Sequence, residues 1–267
     1  MSLTIEEVKT ASFTMKYFKF GTGSKVFVIL PGISVQSVMG SADAVANQYA
    51  KLTDDYTVYL FDRREDLPSS YTVRDMADDT AEAFRALDLK DIVLFGASQG
   101  GMIAMTIAIN EPDLISRLIL GSTSSQITDE QFDSLKVWID LANANDGVAL
   151  YQEFAKALYP DSFIEKFKDA FILMGNSVKP HEFARFVTIA EGTKDFNVTS
   201  KLKNIECPTL VLGAADDKVL GVEATNKIIS ELETKPGFES FIYDGYGHAA
   251  FDTAPDYLDR IISFLKR

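Results

Sequence analysis

The sequence holds one cysteine and two histidines in 267 residues, and each scarcity removes a class of chemistry. With Cys207 alone no intrachain disulfide can form, a pattern that fits a reducing compartment. His181 and His248 are far apart and, with a single cysteine, do not make up the usual zinc ligand sets, so no metal site is expected. G-x-G-x-x-G is absent, and no cofactor is implied. No uncharged apolar stretch reaches the roughly 18 to 20 residues that a membrane span requires. Met1 to Thr10 carries two glutamates and lacks the apolar core of a secretory signal, so a cytoplasmic location is expected. Positive charge is also in deficit. Lys and Arg number 26 against 39 Asp and Glu, and the formal net charge of −13 disfavours nucleic acid and anionic membrane surfaces as partners.

Apolar residues are plentiful. They make up 46% of the chain against 24% charged, which is ample for a buried core and far from the composition of disorder. The length exceeds the usual domain of roughly 100 to 200 residues, and one core with an insertion is expected. Short β-rich runs recur with helical stretches between them: Lys25 to Leu30, Thr57 to Phe61, Asp91 to Gly96, Arg117 to Gly121, Pro208 to Gly213 and Glu239 to Tyr243. Most are continuous apolar runs, the signature of strands buried on both faces, and strand–helix alternation points to an α/β fold with a mostly parallel, doubly wound sheet. Ser12 to Phe20 alternates instead and ends at Gly21-Thr22-Gly23, as an antiparallel edge strand with a turn would.

Between residues 122 and 199 this rhythm stops. The stretch reads as several helices and is taken as an inserted helical cap, with residues 1–121 and 200–267 forming the α/β core. Thr128 and Gln131 make a capping box, followed at helical spacing by Phe132, Leu135, Trp138, Ile139 and Ala142. Phe163, Phe167 and Phe171 share a face of a second helix, and Pro180 opens a third carrying Phe183, Phe186 and Val187. One apolar stripe per helix is what packing on a core requires. So many phenylalanines in one insertion also suggest an apolar roof over a pocket for a hydrophobic acyl or ring group.

The chemistry concentrates at strand ends. Gly96-Ala97-Ser98-Gln99-Gly100 directly follows the run Asp91 to Phe95 and opens the apolar stretch Gly101-Met102-Ile103. A serine at such a strand–turn–helix apex is strained and exposed at a helix N-terminus, where N–H groups favour negative charge. Serine needs a base, in most cases histidine. His248, in Gly245-Tyr246-Gly247-His248, follows a strand, whereas His181 follows Pro180 in a helix's first turn and is expected to be solvated. The base in turn needs a carboxylate. Ala214-Ala215-Asp216-Asp217-Lys218 leaves the run Pro208 to Gly213, and either aspartate can serve.

The order Ser98, Asp216, His248, each just past a strand, resembles the α/β-hydrolase superfamily over essentially the whole chain. The resemblance implies that the acid follows G-x-x-D, which counted from Gly213 selects Asp216. After the preceding strand, where some relatives carry the acid, the sequence reads Gly121-Ser122-Thr123-Ser124-Ser125, with no carboxylate. It also implies an oxyanion hole from the amides of Gln99 and Ile33, although Leu30-Pro31-Gly32-Ile33-Ser34 keeps the glycine of the usual His-Gly and loses the histidine. Where similar proteins show D-x-R-G-x-G, Asp62-Arg63-Arg64-Glu65-Asp66 keeps Asp62 and Arg64 and lacks both glycines; a salt-bridged structural loop is expected there. Cys207-Pro208 fits the family as a structural feature.

The expectation is a serine hydrolase acting on a carboxylic ester or related acyl compound. C–C hydrolases, lactonases, perhydrolases and aminopeptidases share the implied fold and triad. The rival of another class is a noncatalytic ligand receptor, which has no need of nucleophile, base and acid together.

Overall fold

A computed structural model describes residues 3–267; Met1 and Ser2, part of the segment read for a leader, lie outside the described residues. Its centre is an eight-stranded sheet in the order β1-β2-β4-β3-β5-β6-β7-β8. The strands are β1 (Ile5–Lys9), β2 (Thr14–Phe20), β3 (Lys25–Leu30), β4 (Tyr56–Arg64), β5 (Ile92–Ala97), β6 (Ile115–Gly121), β7 (Thr209–Ala214) and β8 (Phe238–Tyr243). β1 and β2 are antiparallel to their neighbours, and β3 to β8 run parallel. The helices are α1 (Ala42–Gln48), α2 (Val73–Ala86), α3 (Gln99–Asn110), α4 (Asp129–Asn143), α5 (Gly147–Leu158), α6 (Asp161–Ser177), α7 (Pro180–Glu191), α8 (Val222–Leu232), α9 (Ala250–Thr253) and α10 (Tyr257–Leu265).

Alternation along β5 shows how one apolar run feeds two cores. Leu94 packs in the cluster that holds Phe84 of α2 and Ile103 of α3. Val93 and Phe95 face the opposite layer, with Tyr257, Ile261 and Phe264 of α10. A strand covered on both faces has no polar side, which is why these runs are uninterrupted in sequence.

Most strand bounds differ from expectation by a residue or two, and three of the differences have an identifiable tertiary reason. β1 is short and charge-rich, and its existence rests on pairing with β2, from Ile5 opposite Phe18 to Lys9 opposite Thr14. β4 does not stop at Phe61; pairing with β2, including Met15 opposite Arg64, carries it through Arg64, so the first three residues of the charged cluster are strand and Glu65 and Asp66 lie beyond it. β7 runs one residue past Gly213, to Ala214 opposite Tyr243 of β8.

Between β6 and β7 stand α4 to α7, which include one helix, α5, beyond the three stripes read from the sequence. The Thr128–Gln131 capping box is formed in both directions, a feature worth about 1 kcal/mol to a helix. Gln131 also donates from Nε2 to the Leu220 carbonyl (2.6 Å), tying α4 to the loop after β7. α5 and α6 approach so closely at Gly147 and Gly175 that a Cβ on Gly147 would lie 2.2 Å from the Gly175 carbonyl oxygen. Among the described residues, no helix is long and apolar enough to cross a membrane.

Candidate active site

β5 delivers Ser98 to a turn it does not leave freely. Ser98 has φ 53° and ψ −124° and stands as the N-cap of α3. Such a conformation for a non-glycine residue costs on the order of 1–3 kcal/mol and persists only where the surroundings enforce it. Here the Ser98 N–H donates to the Gly121 carbonyl (2.9 Å) and its carbonyl accepts the Thr123 hydroxyl (2.6 Å). Thr123, not singled out as a candidate above, therefore clamps the turn from the loop after β6. The flanking glycines are sterically required. A Cβ on Gly96 would sit 2.3 Å from the Gly100 carbonyl oxygen, and one on Gly100 would sit 2.0 Å from the Leu30 carbonyl oxygen.

The loop after β3 lies against this turn, since a Cβ on Gly32 would be 3.0 Å from the Ser98 Cβ. Ile33 follows it, and Ser98, Ile33, Gln99 and His248 line one cavity. Gln99 opens α3, so its N–H has no carbonyl four residues back within the helix. Among the described residues, neither the Gln99 nor the Ile33 N–H donates to a backbone carbonyl. Two free amides beside a serine hydroxyl can receive a developing oxyanion.

The structure brings His248 together with Asp217, and the expectation of Asp216 is corrected. His248 is 2% exposed, and its Nδ1 lies 2.8 Å from Asp217 Oδ2. Asp217 Oδ1 accepts the N–H groups of Val219 (2.8 Å) and Leu220 (3.0 Å). Asp216 is exposed, and only its backbone is engaged here, the N–H donating to the Tyr246 carbonyl (3.0 Å). In the exit loop beyond Ala214 the first aspartate is exposed and the second is buried. Burial alone would raise the Asp217 carboxyl, but the His248 charge, its hydrogen bond and the two amides outweigh burial and hold the group below the ordinary carboxylate range. An ionised Asp217 only accepts, so Nδ1 carries a proton, and in the neutral imidazole the lone pair is then on Nε2, as a general base requires.

His181, at the second position of α7, is exposed. Cys207 is half-buried, and burial pushes its thiol up to about 11, which keeps it protonated and poorly nucleophilic at neutral pH.

The cavity measures about 650 Å³, within the usual range for small-molecule sites. Its roof comes from the helical insertion, chiefly Leu135, Trp138, Phe154, Tyr159, Phe171 and Met174. Of the Phe163, Phe167 and Phe171 stripe only Phe171 lines it; Phe163 stacks on Tyr159 outside, and Phe167 is 37% exposed. The lining includes two carboxylates, Glu182 and Asp252, and no Lys or Arg. Asp252 accepts the Tyr159 hydroxyl (3.2 Å).

Four ties that the sequence did not disclose fasten the insertion to the core around the cavity. Gln36 donates to Glu182 of α7 (3.2 Å) and accepts from Tyr151 of α5 (3.1 Å). Arg185 of α7 pairs with Asp62 (2.9 Å), which also accepts the Ser37 hydroxyl (2.6 Å). The Ala249 N–H, next to His248, donates to the Leu158 carbonyl (3.1 Å). The fourth is the Gln131–Leu220 bond already described.

The model of the α/β-hydrolase fold family matches residues 25–255. A protein of Agrobacterium fabrum named as the carbamate hydrolase RutD is 25% identical over 249 residues, covering 88% of this chain and 93% of its own. Among solved structures, MGS-M2, an α/β-hydrolase enzyme from a Medee basin deep-sea metagenome library, superposes with a TM-score of 0.86 at 20% identity, covering 98% of both chains. The enol-lactonase of Burkholderia xenovorans superposes at 0.83 with 16% identity, covering 98% of this chain and all of that one.

Proposed function

From the premise that the chain belongs to the α/β-hydrolase fold family and is a hydrolase, we propose that it cleaves a small, uncharged acyl compound, a carboxylic ester or carbamate with an apolar group, through an acyl-enzyme on Ser98. The single observation that carries this reading is the buried His248–Asp217 pair, whose histidine lines the same cavity as a strained serine.

In the first step the Ser98 hydroxyl attacks the carbonyl carbon while His248 Nε2 takes its proton. The oxyanion that forms accepts from the Gln99 and Ile33 amides, and Asp217 steadies the imidazolium through Nδ1. Collapse expels the alcohol, which leaves with the proton from Nε2. Water then repeats the sequence on the acyl-enzyme and releases the acid. No cofactor or metal enters either half.

The substrate class is argued from the walls. An aromatic and aliphatic roof favours an apolar group. Two carboxylates with no cation among the lining residues disfavour an anionic substrate, because a third negative charge in a partly dehydrated cavity has no partner. The name carried by the Agrobacterium relative supports adding carbamates to the panel. Residues 122–199 serve in this reading as a cap over the site.

Labelling with a fluorophosphonate probe, followed by turnover of p-nitrophenyl esters and carbamates of increasing chain length, tests the proposal. Labelling that depends on Ser98 and a preference for longer over acetyl groups are expected. A wild-type protein that neither labels nor turns over any of them would fit a noncatalytic receptor instead.

A further inference from the structure

Arg63 is the most deeply buried cation of the molecule's centre, and nothing in the acyl-transfer scheme above uses it. It is 3% exposed, near the end of β4. It has no salt bridge among the described residues. The adjacent Asp62 is occupied by Arg185 (2.9 Å), the Ser37 hydroxyl (2.6 Å) and the backbone N–H of Arg63 itself (2.7 Å). Burial lowers the guanidinium to about 10, with Asp62 and Tyr71 opposing the shift and Arg185 adding to it, so it stays cationic at neutral pH. Its Nε is buried without a hydrogen-bond partner. A charge held this way is costly, and its two good contacts are therefore informative.

Both contacts are made by Nη2. One goes to the Pro31 carbonyl (2.8 Å) and the other to Gln99 Oε1 (3.0 Å). Pro31 lies two residues before Ile33, and Gln99 carries the other candidate oxyanion donor. Proline has no N–H, so the loop is held at this residue through its carbonyl alone. Gln99 is fully buried, and its Nε2 donates to the Ile189 carbonyl (2.8 Å), which fixes the amide plane that Arg63 meets.

We infer that Arg63 is a positioning residue for the oxyanion hole: one guanidinium nitrogen ties the Pro31–Ile33 loop to Gln99 and so sets the separation of the two amide donors. The inference rests on the serine-hydrolase reading. The uncompensated positive charge behind the two amides also favours negative charge on the oxygen they face, and in a dry interior that interaction is weakly screened.

The test compares wild type with Arg63→Met, Arg63→Lys and Gln99→Leu, the last removing the side-chain acceptor while keeping the backbone N–H. Folding is checked by circular dichroism and thermal melting. Each protein is assayed for kcat and KM with p-nitrophenyl butyrate. Each is also assayed for inhibition by an aliphatic trifluoromethyl ketone, whose hemiketal places an oxyanion in the hole, and by the matching secondary alcohol, which does not. Arg63→Met is expected to lower kcat about 100-fold and to weaken the ketone by a similar factor, the effect of losing one well-placed donor. KM and alcohol affinity should change less than about threefold. Arg63→Lys keeps the charge without the fork and should recover about tenfold of the loss. Gln99→Leu should show the same kcat-selective defect, which keeps the inference testable if Arg63→Met fails to fold.

Unchanged kcat in folded Arg63→Met and Gln99→Leu would overturn the inference, as would equal losses of ketone and alcohol affinity, which would mean a general distortion of the cavity. If wild type itself neither labels with fluorophosphonate nor binds the ketone, the serine-hydrolase reading is what has failed.

Discussion

α3 and α6 both carry apolar side chains toward the same cavity, but they are held very differently. Ten of the 12 residues of α3 are buried, starting at Gln99. Of the 17 residues of α6 only Gly175 is, and Phe167, Leu173 and Met174 are exposed. The helix that starts after Ser98 is packed between the sheet, α2 and Thr123. The helix that helps roof the cavity touches the molecule along one glycine-lined seam with α5 and a few aromatic contacts. Chemistry is fixed by the sheet, and cavity shape is left to elements that can be repacked without disturbing it.

The largest expected effect would break that comparison at its rigid end. Ser98→Ala should lower kcat by at least about 10⁴-fold with p-nitrophenyl butyrate and leave the fold intact in a thermal melt; normal turnover by the folded variant would remove the elbow from the reaction. Next comes the choice between neighbouring carboxylates. Asp217→Asn should cost about 10³- to 10⁴-fold in kcat, because a carboxamide no longer holds the imidazole tautomer or steadies its cation. Asp216→Asn, at an exposed position, should cost less than about threefold, and the reverse ranking in steady-state kinetics would discard the pairing described here.

At the α6 end the effects should be smaller and should appear as selectivity. At low salt, p-nitrophenyl butyrate should exceed the anionic p-nitrophenyl hemisuccinate by about tenfold or more in kcat/KM, and Asp252→Asn should narrow the gap. Equal rates for the two esters would show that the cavity carboxylates do not set selectivity. Phe171→Ala should shift the preferred acyl length by roughly threefold to tenfold in relative kcat/KM while leaving the fluorophosphonate labelling rate unchanged. A parallel fall in labelling would mean that α6 supports the catalytic centre after all.

The smallest effect concerns acid stability. The Asp217 carboxyl is lower in the folded chain than its ordinary value of 3.8. Its contribution is therefore complete above the unfolded value and is lost as pH falls through the lower folded one. Urea midpoints of wild type and Asp217→Asn should accordingly converge as pH is lowered below about 4, and a constant difference down to pH 2 would contradict that assignment.

Ser98 and His248 were legible because local sequence announces them: a glycine-flanked serine between an apolar strand and an apolar helix, and a histidine after the last strand. The central strands were legible for the same reason, since burial on both faces writes itself as an uninterrupted apolar run. Asp217 was not, because two adjacent aspartates in one exit loop read alike in sequence, and only the tertiary structure leaves the first exposed and buries the second against His248. The contacts of Thr123 and Gln36 and the bond from Gln131 to Leu220 were invisible because each joins segments far apart in the chain, 146 residues for Gln36 and Glu182.

The sequence by itself determined the α/β layering, the strained serine and its histidine, since these depend on apolar periodicity and on glycines that leave room for close backbone approach. Only the tertiary structure decided which aspartate meets His248, that the Asp62-Arg63 cluster belongs to a strand and reaches Gln99, and which roof residues face the cavity. Those choices depend on packing between distant segments and, for the strand residues Asp62 and Arg63, on register, where a shift of one residue exchanges the two faces.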